Sequence, residues 1–292
     1  MARPKVLVTG AQGQVGFELA RLLGAHCDVV AVDRAALDLA DPDVIVSAMR
    51  GSRPDIVLNA GAYTAVDAAE RERDAAFAVN ARAPQVLADE AKRADAVLIH
   101  YSTDYVFVGA ATTPYAEDAP TAPLNVYGQS KLEGERAIAA SGARALVLRT
   151  SWVYGLRGRN FLLTIRRLAA ERDELRIVAD QTGTPNWSRT LAQATADLVA
   201  RGPAYLAERA GLYHLSSTGA TTWHGFATAI VGDVARPRVL PIGSADYPTP
   251  ARRPAYGVLA TDRFRATFGF DLPSWRDALA ACLATSAPAS RE

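Results

Sequence analysis

A short apolar run, Lys5-Val-Leu-Val-Thr9, leads without a break into Gly10-Ala-Gln-Gly13-Gln-Val-Gly16 and then into a helical pattern. Glycines at a strand-to-helix turn let the backbone bend sharply and approach a ligand closely, while the helix N-terminus offers unpaired amides and a positive dipole end to a pyrophosphate. The spacing is glycine, three on, three on, rather than Gly-x-Gly-x-x-Gly, and a ligand-free tight turn is the competing explanation. Context favours the ligand. A second strand candidate, 27–33, follows the helix and ends in Asp33, twenty residues beyond Gly13, where a carboxylate can accept hydrogen bonds from adenosine ribose hydroxyls.

Strand candidates at 5–9, 27–33, 55–60, 96–103 and 144–150 alternate with helical patterns near 14–24, 41–51, 66–80, 84–94 and 125–140. Such alternation predicts an α/β fold, a doubly wound parallel sheet covered by helices on both faces, with the ligand crevice at the strand C-termini. Ala60-Gly61-Ala62-Tyr63-Thr64 and Ser102-Thr103-Asp104-Tyr105 fall at those ends. After about residue 155 the rhythm loosens, with helices expected at 160–172, 187–200, 222–231 and 274–284 and strands at 174–179 and 211–216. Residues 1–155 are therefore expected to form mainly the dinucleotide-binding domain and 156–292 mainly a smaller C-terminal substrate-binding lobe, the two interleaved. Ser286 to Glu292 look frayed.

With 32 basic and 31 acidic residues and no long basic run, nothing in the chain suits nucleic acid or an anionic membrane surface, so small-molecule chemistry is the expectation. No apolar run approaches the ~20 residues that span a bilayer, and residues 1–4 lead straight into a strand without room for a signal peptide; a cytoplasmic location is expected. Cys27 and Cys282 lack metal-ligand spacing and read as free core thiols, and no metal is expected.

Tyr127 and Lys131, in Asn125-Val-Tyr-Gly-Gln-Ser-Lys131, lie one helical turn apart and project from one helix face. A free phenol has a pKa of about 10, and an adjacent ammonium favours the phenolate, so the pair is expected to act as an acid–base device with a lowered tyrosine pKa. A tyrosine and a lysine at this spacing also occur on ordinary amphipathic helices.

The glycine turn, the acid after the second strand, the Ser-Thr-Asp strand end and the Tyr-x-x-x-Lys helix, in that order, resemble the extended short-chain dehydrogenase/reductase family with its Rossmann-type domain. His100-Tyr-Ser-Thr-Asp-Tyr-Val-Phe107, Pro123-Leu-Asn-Val-Tyr-Gly128, Arg149-Thr-Ser-Trp-Val-Tyr154, Gly211-Leu-Tyr-His214 and Tyr247-Pro-Thr-Pro-Ala-Arg-Arg-Pro254 narrow the resemblance to the dTDP-4-dehydrorhamnose reductase family. The resemblance implies NADPH or NADH as cofactor, a dTDP-sugar ketone as substrate and a nucleotide-sugar product for surface polysaccharide. It further implies Tyr127 as proton donor, Lys131 as the holder of the nicotinamide ribose, and Thr103 as a second donor to the carbonyl oxygen; a strand-end threonine bonded to backbone is the alternative.

Cofactor contacts are implied at Gly10, Gln12, Gly13, Gln14, Val15, Asp33, Asp38, Leu39, Ala62, Tyr63 and Thr64, beside Tyr127 and Lys131. Asp38 can instead cap the helix at 41–51. A carboxylate at Asp33 repels a 2′-phosphate and Arg34 can pair with one, although Arg34 reads first as a solvated loop cation. Asp104 and Trp152 are implied on the sugar, with the indole against its apolar face, and Arg252 and Arg253 on the diphosphate, a surface ion pair being the alternative for the arginines. Two positions depart from relatives: Asn186 replaces a threonine, and Arg189 replaces an acid tied to a metal-bridged dimer contact, leaving a homodimer through another surface open. Tyr105 stands where related dehydratases carry glutamate, so dehydration lacks an acid–base partner. Another nucleotide-sugar reductase or epimerase, and a non-catalytic regulatory subunit like that of methionine adenosyltransferase, are the competing readings.

Overall fold

In the computed structural model, which describes residues 3–233 and 235–286, the first-half apolar runs form strands of one parallel sheet. These are β1 (Lys5–Thr9), β2 (Asp28–Val32), β3 (Ile56–Asn59), β4 (Val97–Thr103) and β5 (Ala145–Thr150). Their burial is nearly continuous in β1, β3, β4 and β5, as expected for strands covered on both faces. Covering them are α1 (Gln14–Leu23), α2 (Pro42–Ser52), α3 (Val66–Ala69), α4 (Arg73–Phe77), α5 (Ala83–Arg93) and α6 (Val126–Ser141). One apolar core, with Leu19, Leu191 and Leu198, fills one face of the sheet; a second, with Ile45, Leu87 and Ile138, fills the other.

The helices expected at 66–80 and 84–94 are divided differently. The first breaks between α3 and α4, and α4 then runs through a π-helical turn, Ala78–Arg82, directly into α5. Pro84 lies in the first turn of α5 and cannot donate a backbone N–H, which favours an altered hydrogen-bond pattern just before it.

The second half begins with β6 (Val153–Tyr154), α7 (Phe161–Glu171), β7 (Glu174–Val178), β8 (Thr182–Gly183) and β9 (Asn186–Trp187). It continues with α8 (Ser188–Val199), α9 (Pro203–Glu208), β10 (Gly211–His214), β11 (Thr221–Thr222), α10 (Trp223–Val231), β12 (Arg238–Ile242), α11 (Asp262–Phe268) and α12 (Trp275–Ser286). From this half β10 pairs with β5 to complete the six-stranded order β10-β5-β4-β3-β1-β2, and α8 packs on α1. A smaller layer is built from the parallel pair β7 and β12, with α7, α10 and α12 around Tyr154, Phe226, Trp275 and Cys282. β12, α9 and α11 are not signalled by periodicity. β12 carries Pro241 and pairs with one strand only, where a missing N–H costs least, and the two helices are too short to show a periodic face. Cys27 and Cys282 are free and buried. From residue 287 onward, the segment expected to fray lies outside the described residues.

Candidate active site

The glycine turn is sterically required. Gly10 has φ 67°, and a Cβ there would lie 2.6 Å from the Gly61 Cα; one on Gly16 would lie 2.2 Å from the Gly10 carbonyl oxygen. Gly13 caps α1 without any side-chain hydrogen bond, so the first amides of the helix are left for a ligand. They border a cavity of about 610 Å³ lined by Gly10, Gln12, Gly13, Gln14, Val15, Asp33, Asp38, Leu39, Ala62, Tyr63, Thr64, Tyr127 and Lys131. The structure thus brings together every residue that the resemblance places on the cofactor. Ser102 and Thr150 line the same space, and their hydroxyl oxygens are buried without a protein partner. Unpaired buried hydroxyls and bare helix amides fit a polar, anionic dinucleotide.

Several of these side chains also hold the local backbone. Asp33 Oδ1 accepts from the amides of Ala35 (3.0 Å) and Ala36 (3.1 Å), and Asp38 Oδ1 accepts from Ala40 (3.0 Å). The cap of α2 is not Asp38 but Asp41, which accepts from Asp43 and Val44. The Arg34 side chain is 86% exposed and lies 3.6 Å from Asp38, a solvated loop cation. In the π turn, Asn80 bonds both the N–H and the carbonyl of Tyr63 (2.9 and 3.0 Å), fixing the loop after β3; the sequence offered no sign of this role.

Tyr127 and Lys131 on α6 meet Thr103 at the end of β4. Asn125 caps α6 through the Gly128 amide (2.8 Å), and Gly128 is pressed so close to the Tyr105 carbonyl that a Cβ would lie 2.2 Å from it. The first turn of α6 is thereby seated on the 3₁₀ turn at Asp104–Val106, with Tyr105 and Tyr127 edge to face at 5.6 Å. Thr103 accepts from the Tyr105 amide (3.2 Å) and donates to Asp104 Oδ1 (3.1 Å), and its hydroxyl acts on the Tyr127 phenol, so its backbone role and its place beside the phenol coexist.

The electrostatics differ from the expected lowering of the tyrosine pKa. Burial pushes the Tyr127 phenol up to about 12, the neighbouring Thr103 hydroxyl opposes this, and the Asp104 carboxyl adds to it. Burial brings Lys131 down to about 8. Desolvation outweighs the neighbouring cation, because the lysine is itself only 2% exposed and its charge is disfavoured by the same apolar surroundings. Lys131 Nζ donates to the Tyr101 carbonyl at 2.6 Å and lies 3.1 Å from His100 Nε2. Asp104 is raised to about 7 by burial; its Oδ2 has no protein partner, and Gly257 leaves room for it where a Cβ would lie 2.4 Å away.

The residues implied on substrate sit outside this cavity. Trp152 takes φ 43° and stacks on Trp223, so one indole face expected to meet sugar is already covered. Arg252 and Arg253 line a second cavity of about 410 Å³ with Gln181, Ser244, Tyr247 and Thr249. The two arginines separate in role: Arg253 grips Asp67 with both Nη atoms (2.9 and 2.8 Å), whereas Arg252 is exposed and its carbonyl accepts from Asn125 (2.7 Å). Asn186 is a fully buried hub that donates to the Ser151 and Thr184 carbonyls and accepts from the Ser217 amide. Arg189 pairs with Glu18, which Arg21 also holds. Among the described residues no group of three His, Cys, Asp or Glu side chains is placed to hold a metal.

The family profile described as RmlD substrate binding domain matches residues 4–287. The dTDP-4-dehydrorhamnose reductase of Burkholderia thailandensis is 48% identical over 291 residues, covering 96% of this chain and 98% of the relative. That of Shigella flexneri is 42% identical over 282 residues, covering 93% and 94%. The crystal structure of dTDP-4-dehydrorhamnose reductase from Bacillus anthracis, in complex with NADP, is similar with a TM-score of 0.92 at 33% identity, covering 98% of this chain and all of that one.

Proposed function

This chain belongs to the dTDP-4-dehydrorhamnose reductase family, and we propose that Tyr127, Lys131 and Thr103 carry its reaction. That reaction is the NAD(P)H-dependent reduction of the C4 ketone of dTDP-6-deoxy-L-lyxo-4-hexulose to dTDP-L-rhamnose. Held by the glycine turn, NAD(P)H would supply the hydride for the carbonyl carbon. Tyr127 delivers the proton to the oxygen. A phenol held up to about 12 keeps its proton until an alkoxide, a stronger base, develops beside it; such positioned acid catalysis contributes ~10²–10⁴-fold. Thr103 donates to the same oxygen, and Lys131, facing the cavity, holds the ribose.

The observation that carries this reading is the junction of Tyr127 and Lys131 on one cavity, with Thr103 at the adjoining strand end. Gly10, Gln12 to Val15, Asp33, Asp38, Leu39 and Ala62 to Thr64 are proposed to hold the cofactor. Asp104, Trp152 and Arg252 are proposed to face the sugar nucleotide, with Arg253 acting through its ion pair. The same reading takes the β7–β12 layer with α7, α10 and α12 as the substrate lobe, a cytoplasmic location, and self-association through a surface other than the Glu18–Arg189 pair. No helix among the described residues is long and apolar enough to cross a membrane.

The test is oxidation of NADPH or NADH in the presence of dTDP-6-deoxy-L-lyxo-4-hexulose, followed by absorbance. Tyr127→Phe is expected to lower kcat by ~10²-fold or more with cofactor affinity nearly unchanged. Unchanged turnover in that variant would remove Tyr127 from the chemistry.

A further inference from the structure

Three polar side chains, Thr9, Asn59 and His100, lie side by side across the sheet and take no part in the steps above. They are direct cross-strand neighbours: Thr9 opposes Asn59 and Asn59 opposes His100 in the registers of β1, β3 and β4. Thr9 Oγ1 donates to Asn59 Oδ1 at 2.7 Å, Asn59 Nδ2 lies 2.9 Å from His100 Nδ1, and His100 Nε2 lies 3.1 Å from Lys131 Nζ. Thr9 and Asn59 are 1% exposed, His100 is fully buried and Lys131 is 2% exposed. A run of buried polar groups is costly unless each is partnered, and a fully partnered run holds its members rigidly.

The ladder ends on the lysine in a specific way. A lysine nitrogen has three substituent positions beyond its carbon. Tyr101 O takes one and His100 Nε2 a second, which aims the third at the cavity that Lys131 lines. Burial, and then the Lys131 charge, hold the imidazole well below its ordinary pKa, so His100 is neutral. The ladder selects the tautomer: with Asn59 Oδ1 taken by the Thr9 hydroxyl, Asn59 Nδ2 donates to His100 Nδ1, so the imidazole proton sits on Nε2, where it donates to the Lys131 nitrogen as a free amine. A carboxylate at this place would lock the ammonium. Glu135, one turn along α6, is the nearby acid, and both its oxygens are held by Arg149 from β5. Of the other groups around Lys131, Tyr127 lies on its own helix, Tyr101 turns its hydroxyl to Thr195, and Ser102 and Thr150 are neutral hydroxyls.

We propose that His100 is a positioning residue for the reduction, which through the Thr9–Asn59–His100 ladder fixes the direction of the Lys131 amine and weakens its hold on a proton. This rests on the Lys131 role proposed above. The glycine turn and the lysine are thereby tied through one strand-to-strand run, since Thr9 immediately precedes Gly10.

Two variants separate positioning from folding. His100→Gln carries an amide far enough along its chain to reach Lys131, and that amide can donate as the imidazole does. His100→Asn places its amide near the Nδ1 position, meeting Asn59 but not the lysine. The expected result is that His100→Asn loses about 10-fold or more in kcat and moves the alkaline limb of kcat to higher pH, because the free amine has lost a donor, while His100→Gln recovers most of both. Equal losses in the two variants with the alkaline limb unmoved would overturn the proposal, since a packing defect is indifferent to the reach of the amide. Lys131→Met, measured beside them, keeps the two readings distinct. Full turnover there removes the Lys131 role itself, whereas lost turnover there with an unmoved limb in His100→Asn removes only the ladder.

Discussion

Trp152 and Trp223 lie face to face, with ring centroids 3.5 Å apart and planes within 9° of parallel. Trp152 reaches this stack with φ 43°, a left-handed conformation that costs on the order of 1–3 kcal/mol for a bulky residue and persists only when its surroundings impose it. Gly183 makes room beside the ring, where a Cβ would come within 2.5 Å of it. Trp223 Nε1 in turn donates to Gln181 Oε1 (3.2 Å), and Gln181 donates to Ser244, so the stack reaches the second cavity. If Trp152 meets the sugar, Trp223 sets its angle. Trp223→Leu is therefore expected to raise the KM for the sugar nucleotide several-fold at nearly constant cofactor affinity, and to abolish the coupled-indole couplet in circular dichroism. Loss of the couplet with an unchanged KM would return the pair to a packing role.

Arg149 and Glu135 form the most enclosed ion pair described, 3% and 7% exposed, with Nε and Nη2 on the two carboxylate oxygens at 2.9 and 2.6 Å. Arg149 also donates to the Glu117 carbonyl and lies over the Phe107 ring at 5.0 Å. Breaking one side of such a pair strands the other charge in the interior. Glu135→Gln is expected to cost about 3–5 kcal/mol of folding stability, read as a lower denaturant midpoint. An apolar exchange of both partners should cost much less. A midpoint as low in the double variant as in the single one would contradict the stranded-charge account.

What could be read from the sequence was the chemistry that is local in the chain. The glycine turn and the Tyr127–Lys131 pair each occupy one turn of backbone, where period and spacing determine which atoms meet. The order of the apolar runs likewise announced the parallel sheet. What escaped depends on partners brought in from a distance. Asp67 and Arg253 are 186 residues apart, and no spacing foretells that the arginine will be held by an ion pair rather than left for a phosphate. His100 was visible as part of a motif, yet its link to Thr9 exists only through strand order and register. Asn186 stood out as a departure from relatives, and only the fold shows it bonding three loops together.

Asp33 bears on cofactor selection through two effects at once. Its Oδ1 already accepts from the Ala35 and Ala36 amides, leaving Oδ2 for a ribose hydroxyl, and its charge opposes a 2′-phosphate. Asp33→Ala is expected to weaken NADH binding about 10-fold while affecting NADPH less, because relief of repulsion offsets the loosened turn. Titration of each cofactor against the two proteins measures the ratio. Equal weakening would confine Asp33 to the turn.

Asp104 makes a prediction about pH that separates it from the buried histidines. Burial raises its folded pKa to about 7, whereas an unfolded aspartate titrates near about 3.9. Between those values the folded chain holds a proton that the unfolded chain has released, so this group's contribution to stability is greatest below the ordinary carboxylate range. It declines as pH rises through about 7 and is level beyond. His214, brought down to about 3, and His100, also lowered, act oppositely: the unfolded imidazoles take up protons first, and stability grows with pH towards neutrality. The wild-type slope mixes the two, but the difference between wild type and Asp104→Asn does not. That variant cannot ionise and packs in nearly the same volume against Gly257. Relative to wild type it is expected to gain up to a few kcal/mol between pH 5 and pH 8, measured by denaturant midpoints at several pH values. A constant difference across that range would mean that Asp104 titrates normally and that its buried oxygen is solvated in the folded protein.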